Sequence, residues 1–126
     1  MTLSIQDVAQ YFISHKRNDQ GMSSMKLHKL CFLADTLYQR ALYVPLFSEY
    51  FTHTKTGPRY TELMSYHKGA YILTTWPVGD TSKLDSKHKE YLDRIFQAYS
   101  FHSGPELSRL TQKMEEYTTT DTQVAN

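Results

Sequence analysis

The chain has 126 residues, 40% of them hydrophobic and 21% charged. That length fits one domain with its own core, and that composition is globular rather than disordered. Fourteen Lys and Arg stand against 13 Asp and Glu, a net charge of +1. This lacks the basic excess by which free-standing nucleic-acid binders hold phosphates. A single cysteine, Cys31, excludes an internal disulfide and points to a reducing compartment. The first residues show no basic segment followed by an apolar run, and no apolar stretch approaches the roughly 20 residues of a membrane helix. A cytoplasmic domain is therefore expected, with no membrane partner.

Ser4 with Asp7 has the spacing of a capping box. Ile5, Val8, Ala9, Phe12 and Ile13 then recur at helical intervals, predicting a first helix from Ile5 to His15. A polar loop with Gly21 follows, and Ser23 or Ser24 is placed to cap a second helix. Its apolar stripe is Leu27, Leu30, Cys31, Ala34, Leu37, Tyr38 and Ala41, the longest periodic signal in the chain. Lys26, His28, Lys29, Asp35, Gln39 and Arg40 fall off that stripe, and most of them are expected to face solvent or a partner. Pro45 stops the helix. Residues 46–54 alternate aromatic and polar side chains and read as extended, as an arm of a short hairpin.

Gly57 makes a turn, and Pro58 is expected to be the first residue of a third helix ended by Gly69. Residues 70–76 are apolar and β-prone. A fourth helix is expected from Asp85 or Ser86, with Tyr91, Leu92, Ile95, Phe96 and Tyr99 inward. Ser103 and Glu106 form a second capping pair that opens a last helix through Leu107, Leu110 and Met114. The fold expected is mainly α: one compact domain of about five helices over residues 1–117, with room for a short β-hairpin or extended segment. The polar stretch 118–126 is expected to be a disordered tail.

Catalytic motifs do not emerge. The glycines form neither a dinucleotide fingerprint nor a phosphate loop, so no cofactor is expected. The histidines, at 15, 28, 53, 67, 88 and 102, show no i, i+4 metal pair, and each is read as a lone surface residue. Cys31, on the apolar stripe, reads as a buried structural thiol rather than a nucleophile. No metal site, no catalytic residue and no enzymatic activity are expected.

Two short segments stand out from generic core. Lys26-Leu27-His28-Lys29-Leu30 opens the central helix, and Gly57-Pro58-Arg59-Tyr60 follows the extended segment. Joined to Asp7-Val8-Ala9-Gln10-Tyr11-Phe12-Ile13, to Pro45-Leu46-Phe47-Ser48-Glu49-Tyr50-Phe51, to Leu92-Asp93-Arg94-Ile95 and to Leu107-Ser108-Arg109-Leu110-Thr111, they form an ordered set. That set resembles the Panacea domain family of SocA-like antitoxins and GepA-type phage-associated proteins, over residues 3 to 112. The chain departs from the family pattern at Thr52-His53-Thr54, at Arg59 and at Gln112.

The resemblance implies a non-catalytic antitoxin that neutralises a cognate toxin by direct binding or as an adaptor to a protease. A phage or mobile-element inhibitor of a host protein, such as a defence system, is the alternative on the same fold. A nucleic-acid-binding regulator using a basic face of Lys26, His28, Lys29 and Arg59 comes third. The surface expected to meet the protein partner is Lys26, Lys29, Arg59 and Tyr60. Gly57, Pro58, Leu27 and Leu30 are expected to shape it from within.

Overall fold

The computed structural model describes residues 3–15 and 21–125, the side chains of 115–125 excepted. Its elements in order are α1 (Ile5–Ser14), β1 (Met22–Ser23), α2 (Ser24–Leu42), β2 (Thr52–Thr54), β3 (Gly57–Arg59), α3 (Thr61–His67), β4 (Ile72–Leu73), α4 (Ser86–Tyr99) and α5 (Gly104–Ala125). A single 3-10 turn spans Thr81–Lys83. Among the described residues the fold is mainly α, five helices with two small antiparallel sheets, and its helical character is what the periodicity leads one to expect. Among the described residues no helix is long and apolar enough to cross a membrane.

α1 starts where its capping box sits. The Gln6 amide donates to Ser4 Oγ at 3.1 Å, and the Ser4 amide donates to Asp7 Oδ2 at 3.4 Å. Two of the orphan amides at this end are thereby satisfied. The inward set Ile5, Val8, Ala9, Phe12 and Ile13 is buried throughout. Asp7 also turns inward, and its other oxygen accepts from the Asp80 amide at 2.8 Å, which pins the loop before the 3-10 turn. Gly79 is obligatory in that loop: its φ is +92°, and a Cβ there would collide with the Gln6 carbonyl.

α2 is the axis of the molecule, about 28 Å long for its 19 residues. Ser23 caps it, accepting from the Lys26 amide at 3.1 Å. α1, α4, α5 and the β2–β3 hairpin all pack on it. Beyond its end the chain folds back. The Leu46 amide donates to Asp35 Oδ1 at 2.8 Å, and Leu3 donates to the Leu46 carbonyl at 3.0 Å. Leu46 and Phe47 are buried by this return.

The third helix begins later than expected. Pro58 lies in β3, opposite His53, and α3 opens at Thr61 with Tyr60 as its cap residue. A two-residue turn, Lys55-Thr56, closes the hairpin on the pair Thr54↔Gly57. The next pair in such a ladder exchanges no cross-strand bonds, so a proline without an N–H costs nothing there. Only Ile72 and Leu73 of the β-prone segment 70–76 form a strand, paired with Ser23 and Met22. α4 starts at Ser86, with Asp85 accepting from the His88 amide at 2.7 Å. α5 opens on the reciprocal pair Ser103 and Glu106, at 2.8 and 3.2 Å. Its backbone runs to Ala125, while the side chains of the expected tail, 118–126, lie outside the described residues.

Candidate functional site

The opening turns of α2 meet the hairpin and α3 around four residues, His28, Lys29, Tyr60 and His67. All four are buried, with relative exposures of 1%, 1%, 1% and 6%. The expectation that Lys29 and Tyr60 project toward a partner is therefore corrected, as is the reading of His28 and His67 as surface residues. The physical reason is that α2 is covered all round between Leu27 and Thr36. Leu27, Leu30, Cys31, Phe32, Leu33 and Ala34 are fully buried and together point in nearly every direction around the axis. A helix apolar on so many sides has no solvent face for its neighbours to occupy. That density of apolar residues over 27–34 was the available signal, outweighed by the charges of Lys26, His28 and Lys29.

Most of the buried polar groups have a definite partner, while the Tyr60 hydroxyl and His67 Nδ1 have none among the described residues. The Lys29 ammonium donates to the Pro58 carbonyl at 3.0 Å. Gly57 makes the approach possible: at φ +108° it has no Cβ, and one placed there would press on Lys29 Cε at 3.2 Å and Thr111 Oγ1 at 3.3 Å. α2, the hairpin and α5 are thus locked together at one point. Gly57, Pro58, Leu27 and Leu30, expected to shape this region from within, are all buried around it.

The two histidines have their tautomers dictated by their neighbours. The Tyr60 amide donates to His28 Nδ1 at 2.9 Å, so that nitrogen must be an acceptor. The proton of His28 then sits on Nε2, which faces His67 Nε2 at 2.9 Å and donates to it. His67 consequently carries its own proton on Nδ1, a buried atom with no hydrogen-bond partner among the described residues. Both rings are held neutral. Burial, then the neighbouring His67, Lys29 and Arg59, push His28 down to about 3. Burial and then Arg59 lower His67. The Tyr60 ring packs edge-on against Phe47 at 5.5 Å, and burial keeps its hydroxyl protonated. Burial, reinforced by Asp35 and Glu49, raises the Cys31 thiol far above its usual range.

Lys26 and Arg59 are placed differently. Both are half-exposed, Lys26 on the first turn of α2 and Arg59 at the end of β3. The chain after Arg59 then exposes Met64 (39%), Tyr66 (46%), Tyr71 (69%) and Ile72 (49%). The Tyr71 carbonyl accepts from the Ser24 amide at 2.8 Å, which sets this stretch against the turn that carries Lys26. Buried polar groups thus lie inside this end of the molecule, and the exposed aromatic and aliphatic side chains and the half-exposed cations reach its surface. The exposure of these aromatic and aliphatic side chains is not legible in a helix that ends at Gly69 and an apolar, β-prone segment 70–76, because either element can turn such residues in or out.

Among the described residues no three His, Cys, Asp or Glu side chains converge as metal ligands would. Comparison with family models, with curated proteins and with solved structures gives no match.

Proposed function

We propose that this chain is a non-catalytic protein-binding domain, an antitoxin of the Panacea type that neutralises a cognate toxin by holding it. One observation carries the protein-binding part: Met64, Tyr66, Tyr71 and Ile72 are exposed within nine residues, with Arg59 and Lys68 near them in the chain and the turn of Lys26 joined to Tyr71 by the Ser24 amide. Apolar exposure concentrated in so short a stretch supports an interaction site, as larger apolar patches do. Tyr and Arg are the side chains that most often anchor them. The buried polar groups inside this end of the molecule hold the face ready, so little conformational freedom is left to lose on binding. The antitoxin part rests on the motif resemblance. Lys29 and Tyr60 support the surface from below in this reading, and Lys26 and Arg59 belong to it. Partner contact needs no cofactor and no catalytic residue.

The test is co-expression with the toxin candidate encoded next to this chain. The wild type should restore growth and co-purify at equal stoichiometry. Arg59→Glu and Tyr71→Asp should lose both while melting at an unchanged temperature, since neither side chain is buried. Full neutralisation by both variants would remove this face from the proposal. Neutralisation of a purified host defence protein instead of the neighbour would favour the mobile-element inhibitor. A DNA complex whose affinity falls steeply with salt would favour the regulator.

A further inference from the structure

The partner face proposed above lies at the first end of α2; the last end carries a separate anomaly. α2 stops on Tyr43, which adopts the left-handed conformation, φ 62° and ψ 20°. Glycine is the usual residue at such a stop, because any Cβ is strained there. The backbone itself is ordinary, with the Tyr43 amide donating to the Gln39 carbonyl at 2.8 Å. The side chain is what is out of place: 90% exposed, it contributes almost nothing to the core. A strained position filled by a large exposed aromatic points to a use outside the chain's own fold.

Its neighbours extend the feature. Leu42 is 54% exposed, Val44 51%, and Pro45 is exposed as well, so four consecutive apolar residues crest the helix end. Tyr50, further along the same connector, is 87% exposed. The crest is held in place rather than loose, because Leu46 is buried and bonded to both Asp35 and Leu3. Charge is sparse. Between 39 and 50 there are only Arg40, exposed, and Glu49, half-buried and already accepting from the Ile5 amide at 2.9 Å.

We propose that this crest is the two-fold interface of a homodimer, with Tyr43 as its anchor. In a two-fold contact each surface meets its own copy, so an apolar crest meets apolar crest with no complementary charge required. The apolar area offered by Tyr43, Tyr50, Leu42 and Val44 is on the order of 500 Å². A stable dimer buries about 800 Å² per partner, with the apolar part at the centre. The exposed Gln39, Arg40 and Ser48 supply a polar rim. This interface leaves the face around Arg59 and Tyr71 to the other partner, so a dimer would present two such faces.

Sedimentation equilibrium of the full chain, from low to high micromolar, tests the proposal. The wild type should fit a monomer–dimer equilibrium. Tyr43→Gly should raise the dimer dissociation constant about thirty-fold or more, as loss of an anchoring aromatic does, with its melting temperature kept or raised. Tyr43→Asp should be monomeric throughout. A wild type that stays monomeric over the whole range overturns the proposal and leaves the crest to a different protein. A Tyr43→Gly dimer as tight as wild type overturns it too. The outcome is independent of the toxin, because Arg59→Glu should dimerise normally and Tyr43→Gly should still neutralise.

Discussion

His28 and His67 show how a single proton position organises this protein. The Tyr60 amide donates to His28 Nδ1, which must therefore be unprotonated, and His67 completes the chain by accepting through Nε2. Both histidines are depressed below their ordinary value of about 6.5. For a base held neutral in the folded state, the stabilisation is fully present above the unfolded pKa and is lost as pH falls below it. Facing the pair are Lys29 on α2 and Arg59 on β3, both cations, with Glu62 on α3 the nearest acid in sequence to either ring. Urea midpoints should therefore hold from pH 8 to about 6.5 and fall below it, with His28 alone approaching about 1.4 kcal/mol per pH unit and His67 adding to the fall. His67→Leu should flatten that slope; an unchanged slope would place the pH dependence elsewhere.

Two further residues divide by burial rather than by charge. Lys29→Ala should cost about 2–4 kcal/mol, through the cavity left and the orphaned Pro58 carbonyl. Lys26→Glu, half-exposed, should change stability by less than about 0.5 kcal/mol. Cys31, fully buried, should react slowly with thiol reagents in the native state and rapidly on unfolding. Fast native labelling would show that α2 opens locally.

Among the elements, α2 carries the packing. Leu30 is fully buried and Leu37 only partly so. Leu30→Ala should cost about 2–5 kcal/mol and Leu37→Ala distinctly less, about 1–2 kcal/mol. Equal losses would mean that the second half of α2 is covered as fully as the first. The end of the same helix should respond in the opposite sense, since Tyr43→Gly removes a strained Cβ. A gain of up to about 1 kcal/mol is expected from chemical denaturation.

At the scale of the whole molecule, charge is nearly balanced while its placement is not. Arg59 and Lys68 lie close in the chain to the exposed Tyr66, Tyr71 and Ile72, and the Ser24–Tyr71 hydrogen bond brings the first turn of α2, with Lys26, to the same stretch. Their contribution to partner capture should be mainly to the association rate, so binding of wild type should slow with added salt. Arg59→Glu should slow association at least about ten-fold at low salt and lose most of that salt dependence. A variant that differs from wild type only in dissociation would assign Arg59 a contact role instead of steering.

Helix positions were legible because they depend on neighbours in the chain. The caps at Ser4, Ser23, Asp85 and Ser103 and the apolar spacing of α1 and α2 are local signals, and all four helices start beside those caps. The face of each polar residue was not legible in the same way. Lys29 and Tyr60 look like surface chemistry until α5 and the hairpin close over them, and Pro58 reads as a helix start until it is paired with His53. Periodicity marks which side of a helix is apolar, yet it is silent on how many neighbours cover that helix. Burial of His28, Lys29 and His67, and exposure of Tyr43 and Tyr71, come from contacts between segments distant in sequence. Only the tertiary structure decides those, because desolvation depends on everything that surrounds a group and not on the residues bonded to it.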